Sequence, residues 1–226
     1  MNWKTECAAI IPCLNEQAAI GSVVTSVRHY LPNTFVIDDG SADDTAKVAE
    51  RAGAFVLGHS ASRGKGAALN TGWQQAREQG FNWTLTLDGD GQHAADDIPA
   101  FLNCAERTGA ELVSGNRMSD SKNMPWLRRQ TNRWMSRRIS KFAGRTLPDT
   151  QCGFRLMNLN AWSKVNLASA HFEIESEVLI AFARAGFKIE FVPIQVIYQD
   201  ERSKINPLRD TVRWFRWWRR VVSRAR

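Results

Sequence analysis

The chain contains no apolar stretch approaching the ~20 residues that a membrane-spanning helix requires, so any contact with a bilayer is expected from outside it. Its four cysteines, Cys7, Cys13, Cys104 and Cys152, stand at no zinc-binding spacing. That excludes a zinc ribbon and argues for reduced, apolar thiols rather than a disulfide framework. No signal peptide is expected: Lys4 alone precedes a short apolar run, and Asn15 and Glu16 interrupt it. A GxxxxGKS/T loop is absent, which excludes Walker-type phosphate binding. An EF-hand is excluded too, because counting from Asp88 puts His93 where glycine is needed and Pro99 where the bidentate Glu belongs. Internal repeats, low-complexity segments and Gly/Pro-rich linkers are also missing.

What is present is an ordinary globular composition over 226 residues, 43% hydrophobic and 23% charged, enough for one domain with a sizeable core. The net charge of +7 is unevenly spread: residues 207–226 carry seven Arg against one Asp, leaving a body of 23 basic and 22 acidic residues. A neutral body offers no basic groove, so no nucleic-acid partner is expected.

Ala8, Ala9, Ile10, Ile11 and Pro12 form a run suited to a strand buried on both faces. Residues 16–30 follow with helical spacing of Ile20, Val23, Val24 and Val27. Phe35, Val36 and Ile37 make a second strand, and Ser41 with Asp44 resembles a capping box opening a helix over 42–52. Further strands are expected at 54–57, 83–87 and 111–114, with helices before Gly80 and at 98–107. This alternation predicts an α/β fold with an open parallel sheet covered by helices. Ligands of such sheets sit beyond the carboxyl ends of the strands. The polar clusters after strands one, two and four (Asn15 and Glu16; Asp38 and Asp39; Asp88 and Asp90) should therefore meet along one edge. Beyond Arg117 the alternation stops; a basic, aromatic helix is expected over 126–142, the start of a strand at 149–155, another helix over 175–185 and a strand over 189–194.

Asp88, Asp90 and Gln92 give three oxygen ligands on one glycine-loosened loop, a hard set of the kind Mg²⁺ or Mn²⁺ prefers. A hydrogen-bonded structural turn would have the same residues. Lys65, between Gly64 and Gly66 at a helix start, suits an anion, but a solvated lysine turn would look alike. Asp38 and Asp39 taken alone read as a helix cap. Glu173, Glu175 and Glu177 could include a general base, but their alternation reads first as capping and solvated face.

Seven motifs nevertheless stand together: Pro12-Cys13-Leu14-Asn15-Glu16, Val36-Ile37-Asp38-Asp39-Gly40-Ser41, Arg63-Gly64-Lys65-Gly66, Asp88-Gly89-Asp90-Gly91-Gln92-His93, Gly115-Asn116-Arg117, Asp149-Thr150-Gln151-Cys152-Gly153-Phe154-Arg155, and Ser203-Lys204. In this order the chain resembles the family 2 glycosyltransferases of GT-A fold, close to the polyprenyl- and dolichyl-phosphate sugar transferases. The resemblance implies a Rossmann-like, mostly parallel sheet over residues 1–206 and an inverting transfer from a UDP- or GDP-linked sugar to a polyprenyl phosphate. It implies that Pro12, Leu14 and Glu16 line the nucleotide pocket and that Asp39 hydrogen-bonds the base; Lys65 and Asp88 are expected to bind the nucleotide as well. Asp88, Asp90 and Gln92 would hold the divalent cation, and Lys204 would reach the diphosphate. Arg117, with Arg128 or Arg129 and Asn132, would grip the acceptor phosphate. Asp90 and Arg117 are the expected catalytic residues. Tyr198 departs from the arginine that several members carry there.

The tail supports a lipid acceptor separately. On a helix from Leu208, Arg209, Arg213, Arg216 and Arg220 share one face, while Val212, Trp214, Phe215, Trp218, Val221 and Val222 cover the other. Such a helix over 207–226 suits the interface of an anionic leaflet, which predicts a cytoplasmic enzyme peripherally bound to the membrane. A helix docked on the body, or a dimer contact, has the same pattern. Rival activities are transfer to a hydroxyl of a glycan or lipid, and nucleotidyl transfer. The latter would want a Gly- and Arg-rich loop after the first strand, which Pro12 to Glu16 do not supply.

Overall fold

A computed structural model of the chain describes residues 1–119, 124–197 and 207–223, with side chains in the last segment from 213 onward. The elements run α1 (Trp3–Glu6), β1 (Cys7–Cys13), α2 (Ile20–Tyr30), β2 (Thr34–Asp38), α3 (Thr45–Arg51), β3 (Phe55–Gly58), α4 (Lys65–Glu78) and β4 (Trp83–Thr86). They continue with α5 (Ile98–Thr108), β5 (Leu112–Asn116), α6 (Trp126–Ala143), β6 (Arg155–Asn158), α7 (Leu159–Trp162), α8 (Ile174–Arg184), β7 (Ile189–Pro193) and α9 (Pro207–Ser223).

The strands join in one sheet of order β3-β2-β1-β4-β6-β5-β7. β1 sits inside it, parallel to β2 and to β4, and six of its seven residues are buried. Its side chains alternate between two cores, as the two-residue period of a strand demands. Cys7, Ala9, Ile11 and Cys13 face the layer of α2, α3 and α5; Ala8 and Ile10 face α4 and the helices beyond it. The edge strand β3 is the more exposed one, as a strand paired on one side should be.

The sheet is mostly parallel, as the resemblance implies, but not the wholly parallel sheet that the alternation suggests: β6 inserts between β4 and β5 and runs antiparallel to both. Residues 149–154, expected to begin that strand, form the loop leading into it, and pairing starts only at Arg155. The capping box is also absent. α3 starts at Thr45 and Asp44 makes no side-chain cap bond. Ser41 instead donates through Oγ to Asp38 and accepts from the Asn15 N–H at 2.8 Å, tying two loops together.

The C-terminal helix docks through its aromatic residues. Trp214 and Trp217 are 4% and 6% exposed and join the core beneath α6 and α8, so this seam faces the protein. The Trp214 indole N–H donates to Ser176 at 3.3 Å, and its ring stacks on Trp218 with planes 5° apart. Phe215, Arg216, Arg219 and Arg220 are left on the outside. Among the described residues no helix is long and apolar enough to cross a membrane.

Candidate active site

The carboxyl ends of β1 and β2 are knitted into one platform. Asn15, at a left-handed φ of 54°, accepts the Ala42 N–H on Oδ1 at 2.7 Å, and the Glu16 N–H donates to Thr45 Oγ1 at 2.7 Å. The Asp39 N–H donates to the Cys13 carbonyl at 2.8 Å. Pro12 pairs with Ile37 near the end of β1, and Leu14 and Glu16 follow it in the loop that is tied to the loop carrying Asp39. The Asp39 carboxylate, however, already takes four protein donors: His59 Nδ1 at 2.7 Å, Ser62 Oγ at 2.7 Å, and the N–H groups of Arg63 and Gly64 at 2.9 and 2.8 Å. Burial acts to raise its pKa, but those donors outweigh it and hold the group below the ordinary carboxylate value. Asp39 therefore clamps the loop that opens α4, a role that Asp39 and His59 did not announce in the sequence.

That loop delivers Lys65. Gly64 precedes it at φ 97° with no room for a side chain, since a Cβ would lie 2.2 Å from His171 Nδ1. Lys65 begins α4 and reaches across to the end of β4, where its Nζ sits 2.5 Å from Asp88 Oδ1 and 2.8 Å from Glu175 Oε1. The second Glu175 oxygen lies 3.4 Å from Arg155 Nη1 on β6. Gly153 backs the cluster: a Cβ there would be 2.8 Å from Lys65 Nζ and 3.0 Å from either Asp88 oxygen. Glu175 is buried, not solvated, which corrects its expected place on an exposed helix face; Glu173 is buried likewise. Glu177 accepts the N–H groups of Ala168 and Ser169.

Charge divides the two loop carboxylates. Desolvation would raise Asp88, but Lys65 and His93, whose Nε2 is 3.7 Å away, drive it far below the usual range. Asp90 is raised, first by desolvation and then by the charge of Asp88, which together outweigh the Gln92 N–H at 3.0 Å and the charges of His93 and Lys65. Among the described residues no three His, Cys, Asp or Glu side chains form a metal cage. Two carboxylates and an amide oxygen on one loop fit Mg²⁺ or Mn²⁺ all the same, because such ions are commonly held by one or two carboxylates with phosphate oxygens and water. Ile197 donates its N–H to Gln92 at 3.0 Å beside this loop, and Lys204 follows outside the described residues, as do Tyr198, Arg202 and Ser203.

The expected acceptor cluster is partly assembled, around a residue whose part in it was not foreseen. Asp149 is fully buried and takes Arg117 Nε at 2.8 Å and Nη2 at 2.9 Å, with Asn132 Nδ2 at 2.9 Å. Arg117 and Asn132 do converge, but on a carboxylate of the protein. Arg128 and Arg129 lie half-buried on α6. Asp149 was legible only as one letter of a motif; nothing local says that its charge belongs to an arginine thirty-two positions earlier.

Residues 8–165 match the family model described as Glycosyl transferase family 2, and the chain belongs to that family. The fold is that of the GT-A glycosyltransferases. Among its relatives is the UDP-N-acetylglucosamine–dolichyl-phosphate N-acetylglucosaminyltransferase of Methanococcus voltae, 30% identical over 84% of this chain and 85% of that protein. Another is the undecaprenyl-phosphate mannosyltransferase of Micrococcus luteus, 25% identical over 84% of this chain and 83% of that protein. The structure of glucosyl-3-phosphoglycerate synthase from Mycobacterium tuberculosis, solved with Mn²⁺, UDP and glucosyl-3-phosphoglycerate, superposes with a TM-score of 0.68. That match is at 22% identity and covers 91% of this chain and 74% of that one, a likeness of fold.

Proposed function

We propose that this glycosyltransferase moves a hexose, with inversion, from a UDP- or GDP-linked donor to a polyprenyl phosphate at the cytoplasmic face of a membrane. The observation that carries the reading is the meeting of Lys65, Asp88 and Asp90 at the carboxyl edge of the sheet, beside the β1–β2 platform. Two relatives whose names specify dolichyl and undecaprenyl phosphate support the acceptor class.

Sugar transfer passes through an oxocarbenium-like state while a diphosphate leaves, so the site must meet growing negative charge. Mg²⁺ or Mn²⁺ held by Asp88, Asp90 and Gln92 would offset that negative charge as a Lewis acid. Lys65 adds a second cation, and Lys204 is proposed as a third. Pro12, Leu14, Glu16 and Asp39 are proposed to seat the nucleoside. Arg128 and Arg129 are proposed to meet the acceptor phosphate, with Arg117 and Asn132 supporting them from the Asp149 cluster. An ionised phosphate needs no general base, whereas a hydroxyl does. Glu175 is committed to Lys65 and Arg155, and Glu177 to two backbone N–H groups, which favours the phosphate.

A lipid acceptor also suits the outer surface. Trp126, Leu127, Trp134 and Phe215 are exposed among the arginines of α6 and α9. An apolar groove of about 310 Å³ lies between those helices, lined by Met135, Trp134, Trp214 and Phe215 with Gln130 and Thr131. With their apolar seam docked, the helices would meet an anionic leaflet through arginine and rim aromatics.

The test offers UDP-glucose and GDP-mannose, with Mn²⁺, to the protein and either undecaprenyl phosphate or undecaprenol in vesicles. Sugar should pass to the phosphate alone, and chelation should stop it. Transfer to the alcohol at an equal rate, or transfer indifferent to chelation, would overturn the reading.

A further inference from the structure

Four side chains from four elements form a partly buried chain of alternating charge, with Glu175 and Arg155 buried and Lys65 and Asp88 half-buried. Asp88 follows β4, Lys65 starts α4, Glu175 lies on α8 and Arg155 on β6, with successive separations of 2.5, 2.8 and 3.4 Å. Arg155 is 5% exposed, and none of its three guanidinium nitrogens makes a hydrogen bond. Its strongest tie is thus the charge of Glu175. Assembling such a chain costs desolvation at every member, so its ion pairs are poor evidence of stability alone. It does fix where the Lys65 ammonium stands: wedged between two carboxylates and against the Gly153 backbone, where a Cβ would be 2.8 Å from Nζ.

We propose that Lys65 is a resident cation competing with a divalent ion for Asp88, and that Glu175, held by Arg155, is the positioning residue that retains Lys65 when Asp88 is given up. The inference rests on the reading of Asp88 and Asp90 as metal ligands. A divalent ion and an ammonium repel each other strongly when both lie within a few ångströms of one carboxylate. Lys65 must therefore yield part of its hold on Asp88 as the ion is bound. Glu175 gives it a second anchor 2.8 Å away, so the ammonium stays where the diphosphate is to be met instead of leaving for solvent. Without Glu175 the ammonium falls wholly to Asp88 and the ion meets a stronger competitor.

Competition for Asp88 gives opposite signs to two changes that a merely structural role would move together. Mn²⁺ affinity is read by electron paramagnetic resonance on the full chain without nucleotide, with thermal melts to verify folding. Lys65→Met should bind Mn²⁺ about tenfold more tightly, the repulsion of one nearby unit charge being removed. Lys65→Gln, which keeps a donor for Glu175 if the methionine variant does not fold, should change in the same direction. Glu175→Gln should bind roughly threefold to tenfold more weakly, and that loss should vanish in the Lys65→Met background. Unchanged or weaker binding in the folded Lys65 variants overturns the proposal, as does a Glu175→Gln loss that persists without Lys65. Asp90→Ala separates this failure from a failure of the underlying reading: Mn²⁺ binding that survives there refutes the metal assignment itself.

Discussion

Asp149→Ala tests the buried centre on which Arg117 and Asn132 converge. The carboxylate is fully buried and takes five donors: Arg117 Nε, Nη2 and N–H, Asn132 Nδ2 and the Gln151 N–H, at 2.8 to 3.1 Å. Alanine leaves the buried Arg117 charge without its partner. Removing one member of a buried pair costs about 3–5 kcal/mol. For a chain of 226 residues each kcal/mol moves the melting temperature by about 2–4 °C, so the variant should melt about 6–20 °C lower. Pairing Arg117→Met with Asp149→Leu removes both charges and should recover much of that loss. The pH dependence has a definite sign. Desolvation would raise the Asp149 pKa, but Arg117, Asn132 and the Gln151 N–H hold it well below the ordinary carboxylate value. A carboxylate depressed in the folded state contributes stability that is fully present above its unfolded pKa of about 3.9 and is lost as pH falls toward its folded value. The gap between wild type and Asp149→Ala, followed by circular dichroism, should therefore be full at neutral pH and shrink below about pH 4. A variant melting within about 2 °C of wild type at neutral pH, or a gap unchanged in acid, would refute the reasoning.

Gly66→Ala should destabilise by about 1–3 kcal/mol or more in urea melts, because its Cβ would lie 2.2 Å from the Ser169 carbonyl oxygen, which is backbone and cannot swing aside. Trp214→Ala removes a side chain 4% exposed and should cost about 3–5 kcal/mol, with faster proteolysis of α9; a loss under 1 kcal/mol would mean that the helix is not held by this seam. Replacing Arg216, Arg219 and Arg220 together by Glu should release the protein from anionic vesicles while leaving its melting curve nearly unchanged, since all three are exposed. Vesicle binding that persists would move the membrane contact to α6.

Much of the fold was legible because strands buried on both faces leave short apolar runs, and β1, β2, β4 and β5 appeared where such runs end in polar clusters. The meeting of those clusters at one edge follows from parallel strands and was read correctly. The antiparallel insertion of β6 was not legible, since strand order is a property of pairing between distant segments and Arg155-Leu156-Met157-Asn158 carries no mark of its direction. Glu175 was misread for a related reason. A glutamate near a helix start looks solvated until Lys65 and Arg155 arrive from 110 positions before it and 20 before it. The tail helix shows the limit most plainly: the aromatic stripe of Trp214 and Trp218 is written identically whether it faces lipid or protein, and only the docked position of α9 distinguishes them.

Asp88 and Asp90 are proposed to hold a divalent ion through which the nucleotide diphosphate is bound. Calorimetric titration of UDP and GDP into wild type and Asp90→Ala, each with Mn²⁺ and with chelator, tests this most directly. One of the two nucleotides should bind wild type with Mn²⁺ and fail to bind both the chelated protein and the variant. Equal binding with and without the metal, or undiminished binding by Asp90→Ala, would contradict the account.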